Sequence, residues 1–137
     1  LTAATPFLQQ SLDGAVVFIA SRNVPAPGPG ASAYSVAKAG LTQLARVASL
    51  ELGSYGVRVN VLHPDCVYDT GLWSEDVLQG RAEKYGMSVE AYKSRNILKK
   101  EVTSREVAEM VAAVAGPVFL KTTGAQIPID GGNDRVI

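Results

Sequence analysis

An internal disulfide is excluded first, because Cys66 is the only cysteine in the chain. A lone thiol fits a reducing compartment, and the expected location is cytoplasmic. Long apolar runs are also missing, since no stretch approaches the roughly 18 residues a membrane helix needs. Neither sign of charge is in excess, with 13 basic and 13 acidic residues. No basic run stands out, so neither nucleic acid nor an anionic membrane is an expected partner. Histidine occurs once, at His63. With Cys66 it makes two metal ligands where a zinc site takes about four, so no metal is expected. His63 reads as a strand-end residue and Cys66 as a small, partly buried thiol. The opening residues, LTAATPFLQQ, contain neither an initiator methionine nor a basic stretch ahead of an apolar one. They do not read as a signal peptide, and we expect a cut or incomplete chain.

What remains is an ordinary globular balance, 47% hydrophobic and 19% charged over 137 residues, enough for one small domain or part of a larger one. The run GAVVFIAS follows Asp13-Gly14 and predicts a buried strand over 15–20. A loop rich in proline and glycine comes next, RNVPAPGPG. Helical composition then runs from 31 to about 54, with Val36, Leu41, Leu44, Val47, Ala48 and Glu51 at helical spacing and Gly53 and Gly56 as stop signals. VRVNVLH predicts a second strand, closed by Pro64. Strand, helix and strand in that order imply a parallel pair. The polar segment 74–96 reads as two helical pieces broken around Gly86. Thr103 and Glu106 form a capping-box pattern ahead of a short apolar helix that stops at Gly116-Pro117. AQIPI predicts a last strand, where Pro128 suggests an edge or a position whose amide no ladder needs. The fold class is therefore α/β, a parallel sheet flanked by helices.

Chemistry concentrates near ASAYSVAKAG, where Tyr34 stands four positions before Lys38 and the two share a helix face. That spacing also fits a plain solvated helix face, and Ser21 alone also fits a loop or cap. Ligands in parallel sheets gather at the carboxyl ends of strands. Ser21 lies at one such end, and the segment from His63 to Thr70 follows another. A phenol ordinarily holds its proton to about pH 10, and a neighbouring ammonium favours its ionised form. With a serine hydroxyl to hold the substrate oxygen, the set suits alcohol–carbonyl interconversion. Hydride transfer would need a carrier, because no side chain supplies one. Trp73 and Leu72 suit either closure over a substrate or packing of their own segment, and Lys99, Lys100 and Glu101 read as a solvated face.

Ser21 with Tyr34-x-x-x-Lys38 resembles the serine and Tyr-x-x-x-Lys pair of the short-chain dehydrogenase/reductase family. VVFIAS, AYSVAKAGL, GVRVNVLHP and TGAQIPIDGG resemble, in order, its strand before the serine, its catalytic helix, the following strand and its C-terminal strand. The resemblance implies a partial Rossmann-like, doubly wound parallel sheet over 1–137 and a cofactor, NAD or NADP. It implies Tyr34 as general acid or base, Lys38 as the group that tunes the phenol and binds the nicotinamide-side ribose, and Ser21 as the group orienting the substrate oxygen. Pro64 would pack on the nicotinamide and the Val67 backbone would hydrogen-bond it. The family's long helix often packs on its copy, which implies a homo-oligomer. Asp65 departs from the family's glycine after the proline, and Asp69 stands where a threonine is usual. The family's glycine-rich dinucleotide loop has no counterpart in these residues, so they read as its C-terminal half. HPDCVYDTGLW resembles more narrowly the dehydrogenase part of bifunctional aldolase/short-chain dehydrogenase proteins, implying a sugar-derived hydroxyaldehyde or polyol as substrate. The other readings are a non-catalytic fragment or binding module, and a sugar epimerase or dehydratase using the same pair. The compact chain end after IPIDGG argues against the last.

Overall fold

In the computed structural model, which describes residues 1–133, three strands form one parallel sheet in the order β1 (Ala15–Ile19), β2 (Arg58–Pro64), β3 (Gln126–Ile129). Ala15 pairs with Arg58 at one end of the first ladder, and Pro64 with Ile129 at the end of the second. A short helix, α1 (Thr5–Gln9), precedes β1 with no counterpart in the sequence pattern. The long helix α2 (Ser32–Leu52) crosses from β1 to β2 and runs into a turn of 3-10 helix at Gly53–Tyr55. Gly56 then reverses the chain at φ 76°, a left-handed conformation that glycine adopts without strain.

β2 is buried along its length because it is covered on both faces. Val57, Val59 and Val61 pack with Ala45, Ala48 and Leu52 of α2. Alternate residues point the other way. On that face the Arg58 guanidinium meets the end of α5 (Ser104–Ala115), with Nη1 donating to the Val114 carbonyl at 3.0 Å and Nη2 to Ala115 at 2.8 Å. Helices thus lie on both faces of the sheet, and burial of each β2 valine or leucine contributes about 1.5–3 kcal/mol. The polar connection is two helices, α3 (Glu75–Lys84) and α4 (Val89–Lys93), N-capped by Ser74 and Ser88 and separated by Gly86 at φ 63°. The Thr103–Glu106 capping box opens α5. Pro128 is exposed on β3, the outer strand of the described sheet. No helix among the described residues is long and apolar enough to cross a membrane.

Two expectations change. The run AVVFI reads as a strand buried on both sides, yet β1 is only half-buried, since it pairs with β2 alone and its other edge is open among the described residues. The face of α2 also differs. Thr42, Ala45, Ala48 and Leu52 are buried, while Val36 is 73% exposed and Leu44 and Val47 are also exposed. Small side chains at 45 and 48 let the helix approach the valines of β2 closely. That close approach puts the small side chains inward and leaves Val36, Leu44 and Val47, which share the helical spacing, outward. A helix apolar around most of its circumference ordinarily has a second covering layer.

Candidate active site

The carboxyl ends of the strands are knit together around Ser21. The Arg58 amide bonds the Gly14 carbonyl and the Ala20 amide bonds Leu62, so alternate residues of β1 serve β2. Ile19 then turns its carbonyl to the open edge. Beyond Ala20, the Arg22 amide reaches the Pro64 carbonyl at 3.1 Å. Ser21 is buried, and its Oγ accepts from the Asn23 amide at 3.2 Å. Asn23 Oδ1 in turn accepts from the Gly28 amide, which holds the proline-rich loop against the strand end. The Ser21 hydroxyl proton has no acceptor among the described residues.

Tyr34 and Lys38 occupy the first two turns of α2, whose start faces this end of β1. Lys38 Nζ lies 5.8 Å from the centre of the Tyr34 ring and donates to the Ile19 carbonyl at 3.0 Å. The ammonium therefore sits between the tyrosine and the strand that leads into Ser21. Tyr34 is 44% exposed, and its hydroxyl has no hydrogen-bond partner among the described residues. An exposed phenol beside an ammonium can exchange a proton with a bound molecule. A buried serine with an unclaimed proton can donate to an oxygen.

The segment after β2 forms the neighbouring wall. Pro64 is half-buried, and Asp65 is buried in an ion pair with Arg22, Oδ1 to Nε at 3.0 Å. The Asn133 amide donates to the other carboxylate oxygen of Asp65. Where the sequence departs from the family's glycine, a carboxylate thus ties the loop after β1 to the loop after β3. Cys66 adopts φ 49°. Burial and the adjacent Asp65 push its thiol up to about 11. Val67 pairs with Val102 in an isolated parallel bridge, and its carbonyl accepts from the Thr70 hydroxyl at 2.8 Å. Asp69 accepts from the Ser104 hydroxyl at 2.7 Å and from its amide at 2.9 Å, and these bonds hold the carboxyl below its ordinary range. Trp73 packs edge-on to Tyr68, with ring centres 4.9 Å apart, within a cluster that includes Tyr92. Arg95 lies 4.8 Å from the centre of the Tyr92 ring. Trp73 therefore anchors its own segment, while Leu72 is exposed.

Sequence reasoning placed Ser21, Tyr34, Lys38, Pro64 and Val67 at one end of the sheet, and they lie there. It missed the contacts of His63, whose Nδ1 is 2.9 Å from the Ser21 carbonyl and whose Nε2 is 2.7 Å from Gln126 Oε1. The available signal was a histidine, alongside Arg58 and Asn60, in a strand run otherwise made of valine and leucine up to Pro64. The residues fit the nicotinamide side of a dinucleotide, with an open hydroxyl, an ammonium and a half-buried proline at strand ends. No glycine-rich phosphate cradle accompanies them among the described residues.

Comparison with known proteins agrees with this arrangement. A family model described as enoyl-(acyl carrier protein) reductase matches residues 1–134. The uncharacterized oxidoreductase YuxG of Bacillus subtilis is 38% identical over 128 residues, which is 90% of this chain and 19% of that protein. The short chain dehydrogenase/reductase astE of Aspergillus oryzae is 32% identical over 126 residues, 91% of this chain and 46% of that protein. The NADPH-bound structure of a short chain oxidoreductase from Pseudomonas aeruginosa PAO1, described as containing an atypical catalytic center, superposes with a TM-score of 0.84 at 29% identity. It covers 99% of this chain and 52% of that one. The chain thus spans about half the length, or less, of these relatives.

Proposed function

Because the chain belongs to the short-chain dehydrogenase/reductase family, we propose that it is the substrate-side part of an NAD(P)-dependent oxidoreductase interconverting an alcohol and a carbonyl. The observation that carries this reading is the exposed Tyr34, its hydroxyl unpartnered among the described residues, with the Lys38 ammonium 5.8 Å from its ring centre and reaching the strand that leads into Ser21. In the oxidative direction the Ser21 hydroxyl donates a hydrogen bond to the substrate oxygen and holds it in place, keeping its own proton. Tyr34, with the Lys38 ammonium beside its ring, is the general base that takes the hydroxyl proton. A bound nicotinamide would supply the hydride acceptor that no side chain here provides. Lys38 would also meet the ribose on that side, Pro64 would pack on the nicotinamide, and the Val67 backbone would hydrogen-bond it. Reduction reverses these steps, with Tyr34 returning its proton to the carbonyl oxygen.

The open edge of β1 supports a further reading, that residues outside 1–137 complete the sheet and carry the phosphate-binding loop. Exposed edges of apolar strands invite pairing. At the end of that edge the Ile19 carbonyl is taken by Lys38. The exposed α2 positions Val36, Leu44 and Val47 support assembly of identical subunits through this helix, or cover by that further layer. The Bacillus relative is several times longer than the shared segment, which suits an extra enzymatic region and the bifunctional aldolase/dehydrogenase reading. On that reading the substrate is a sugar-derived hydroxyaldehyde or polyol. A half-buried thiol suits a cytoplasmic setting.

The test is turnover of the complete polypeptide with NAD and NADP against sugar alcohols and hydroxyaldehydes, followed by nicotinamide absorbance. Reduction of either cofactor by one substrate class is expected, and none with any alcohol or carbonyl would contradict the proposal. Titrating the 137-residue chain alone with NADH and NADPH separates the part from the whole, and binding weaker than micromolar is expected for the part.

A further inference from the structure

The reading of Ser21 as the group that orients the substrate oxygen leaves a question, namely what fixes Ser21 itself. Pro64 has no N–H to give to β1, so the backbone bond there runs only from the Arg22 amide to the Pro64 carbonyl. The next donor that β2 turns toward β1 is a side chain. His63 is buried, and its Nδ1 lies 2.9 Å from the Ser21 carbonyl. A carbonyl oxygen only accepts, so Nδ1 must carry the proton. With the proton on Nδ1, the other nitrogen, 2.7 Å from the side-chain amide of Gln126 at the start of β3, accepts from that amide's N–H when the amide is turned to present it. The imidazole therefore spans the sheet, from the end of β1 across β2 to β3. Neither nitrogen reaches the space in front of Ser21, so the ring works through the serine's backbone.

We propose that His63 is a positioning residue, whose Nδ1–H holds the Ser21 carbonyl so that the Ser21 hydroxyl points at the substrate oxygen. The inference rests on Ser21 acting in the reaction, and its test separates the two claims. A misplacement of about 1 Å at a reacting group costs on the order of a hundredfold in rate. In the complete polypeptide, His63→Leu should lower kcat by roughly 10- to 100-fold, with cofactor affinity within about twofold of wild type. His63→Asn keeps an N–H near the Nδ1 position and should recover most of that loss. A purely structural histidine would lower the melting temperature of both variants without this split. The 15N spectrum of the wild-type protein should show a protonated Nδ1 at His63, a readout that does not depend on any variant folding. Wild-type kcat in His63→Leu, no recovery in His63→Asn, or an unprotonated Nδ1 would overturn the proposal. If Tyr34→Phe is inactive while His63→Leu is fully active, only the positioning role fails. If Tyr34→Phe is active, the underlying reading fails.

Discussion

Replacing Arg58 with methionine tests how the sheet holds its second helical layer. The guanidinium is buried and makes four hydrogen bonds: Nη1 to Val114 at 3.0 Å and Phe119 at 3.2 Å, Nη2 to Ala115 at 2.8 Å and Asp13 at 3.0 Å. Two of these partners are carbonyls at the end of α5, which lack acceptance within the helix and carry its negative pole. Leaving three carbonyls without a donor costs about 1 kcal/mol each at the low end. The Asp13 side chain is 50% exposed, so its ion pair adds no more than about 1 kcal/mol. Methionine's apolar burial returns roughly 1 kcal/mol. The net expectation is a loss of about 2–4 kcal/mol, read by urea denaturation followed by circular dichroism. Asp13→Ala should cost less than about 1 kcal/mol by the same assay. Arg58→Met within about 0.5 kcal/mol of wild type would refute the reasoning. Equal losses in the two variants would assign the effect to the ion pair instead of the carbonyls.

Asp69 has a folded-state pKa below its unfolded value, so its bonds to Ser104 stabilise the protein above about pH 4 and are lost as pH falls through the depressed value. Asp69→Asn should flatten the acid limb of the denaturation midpoint below about pH 4, and an unchanged limb would refute the contact's role. With its thiol pushed up to about 11, Cys66 should react with iodoacetamide far more slowly than a free thiol at pH 8 and accelerate only toward pH 11. Fast labelling of the folded protein at pH 8 would contradict its burial. Gly131→Ala would place a Cβ 2.5 Å from the Asn96 side chain at φ 63°. Backbone strain of roughly 1–2 kcal/mol plus a displaced buried amide should cost more than about 2 kcal/mol in thermal or chemical unfolding.

The order of strands and helices was legible because apolar runs and stop signals are local. GAVVFIAS and VRVNVLH announced β1 and β2, and Thr103 and Glu106 announced α5. The face of α2 was not legible, because helical spacing grouped Val36, Leu44 and Val47 with Ala48 and Glu51 without showing which of them turn inward. The close approach to β2 selects Ala45 and Ala48. Spacing and strand ends brought Tyr34, Lys38 and Ser21 to one region. The ties between loops were hidden, because Arg22 with Asp65 and Asp69 with Ser104 join residues 43 and 35 positions apart (65 − 22 and 104 − 69). A sequence shows such partners as charges and caps without saying which meets which. The residues that looked most out of place in β2, Arg58 and His63, are the ones that bond across the sheet and to α5.

The central claim is that Tyr34 exchanges the proton. It is tested most directly by Tyr34→Phe in the complete polypeptide, with turnover and cofactor affinity measured on the same preparation. Loss of the hydroxyl should lower kcat by at least roughly a thousandfold while cofactor affinity stays within a few-fold of wild type. Turnover equal to wild type would contradict the account.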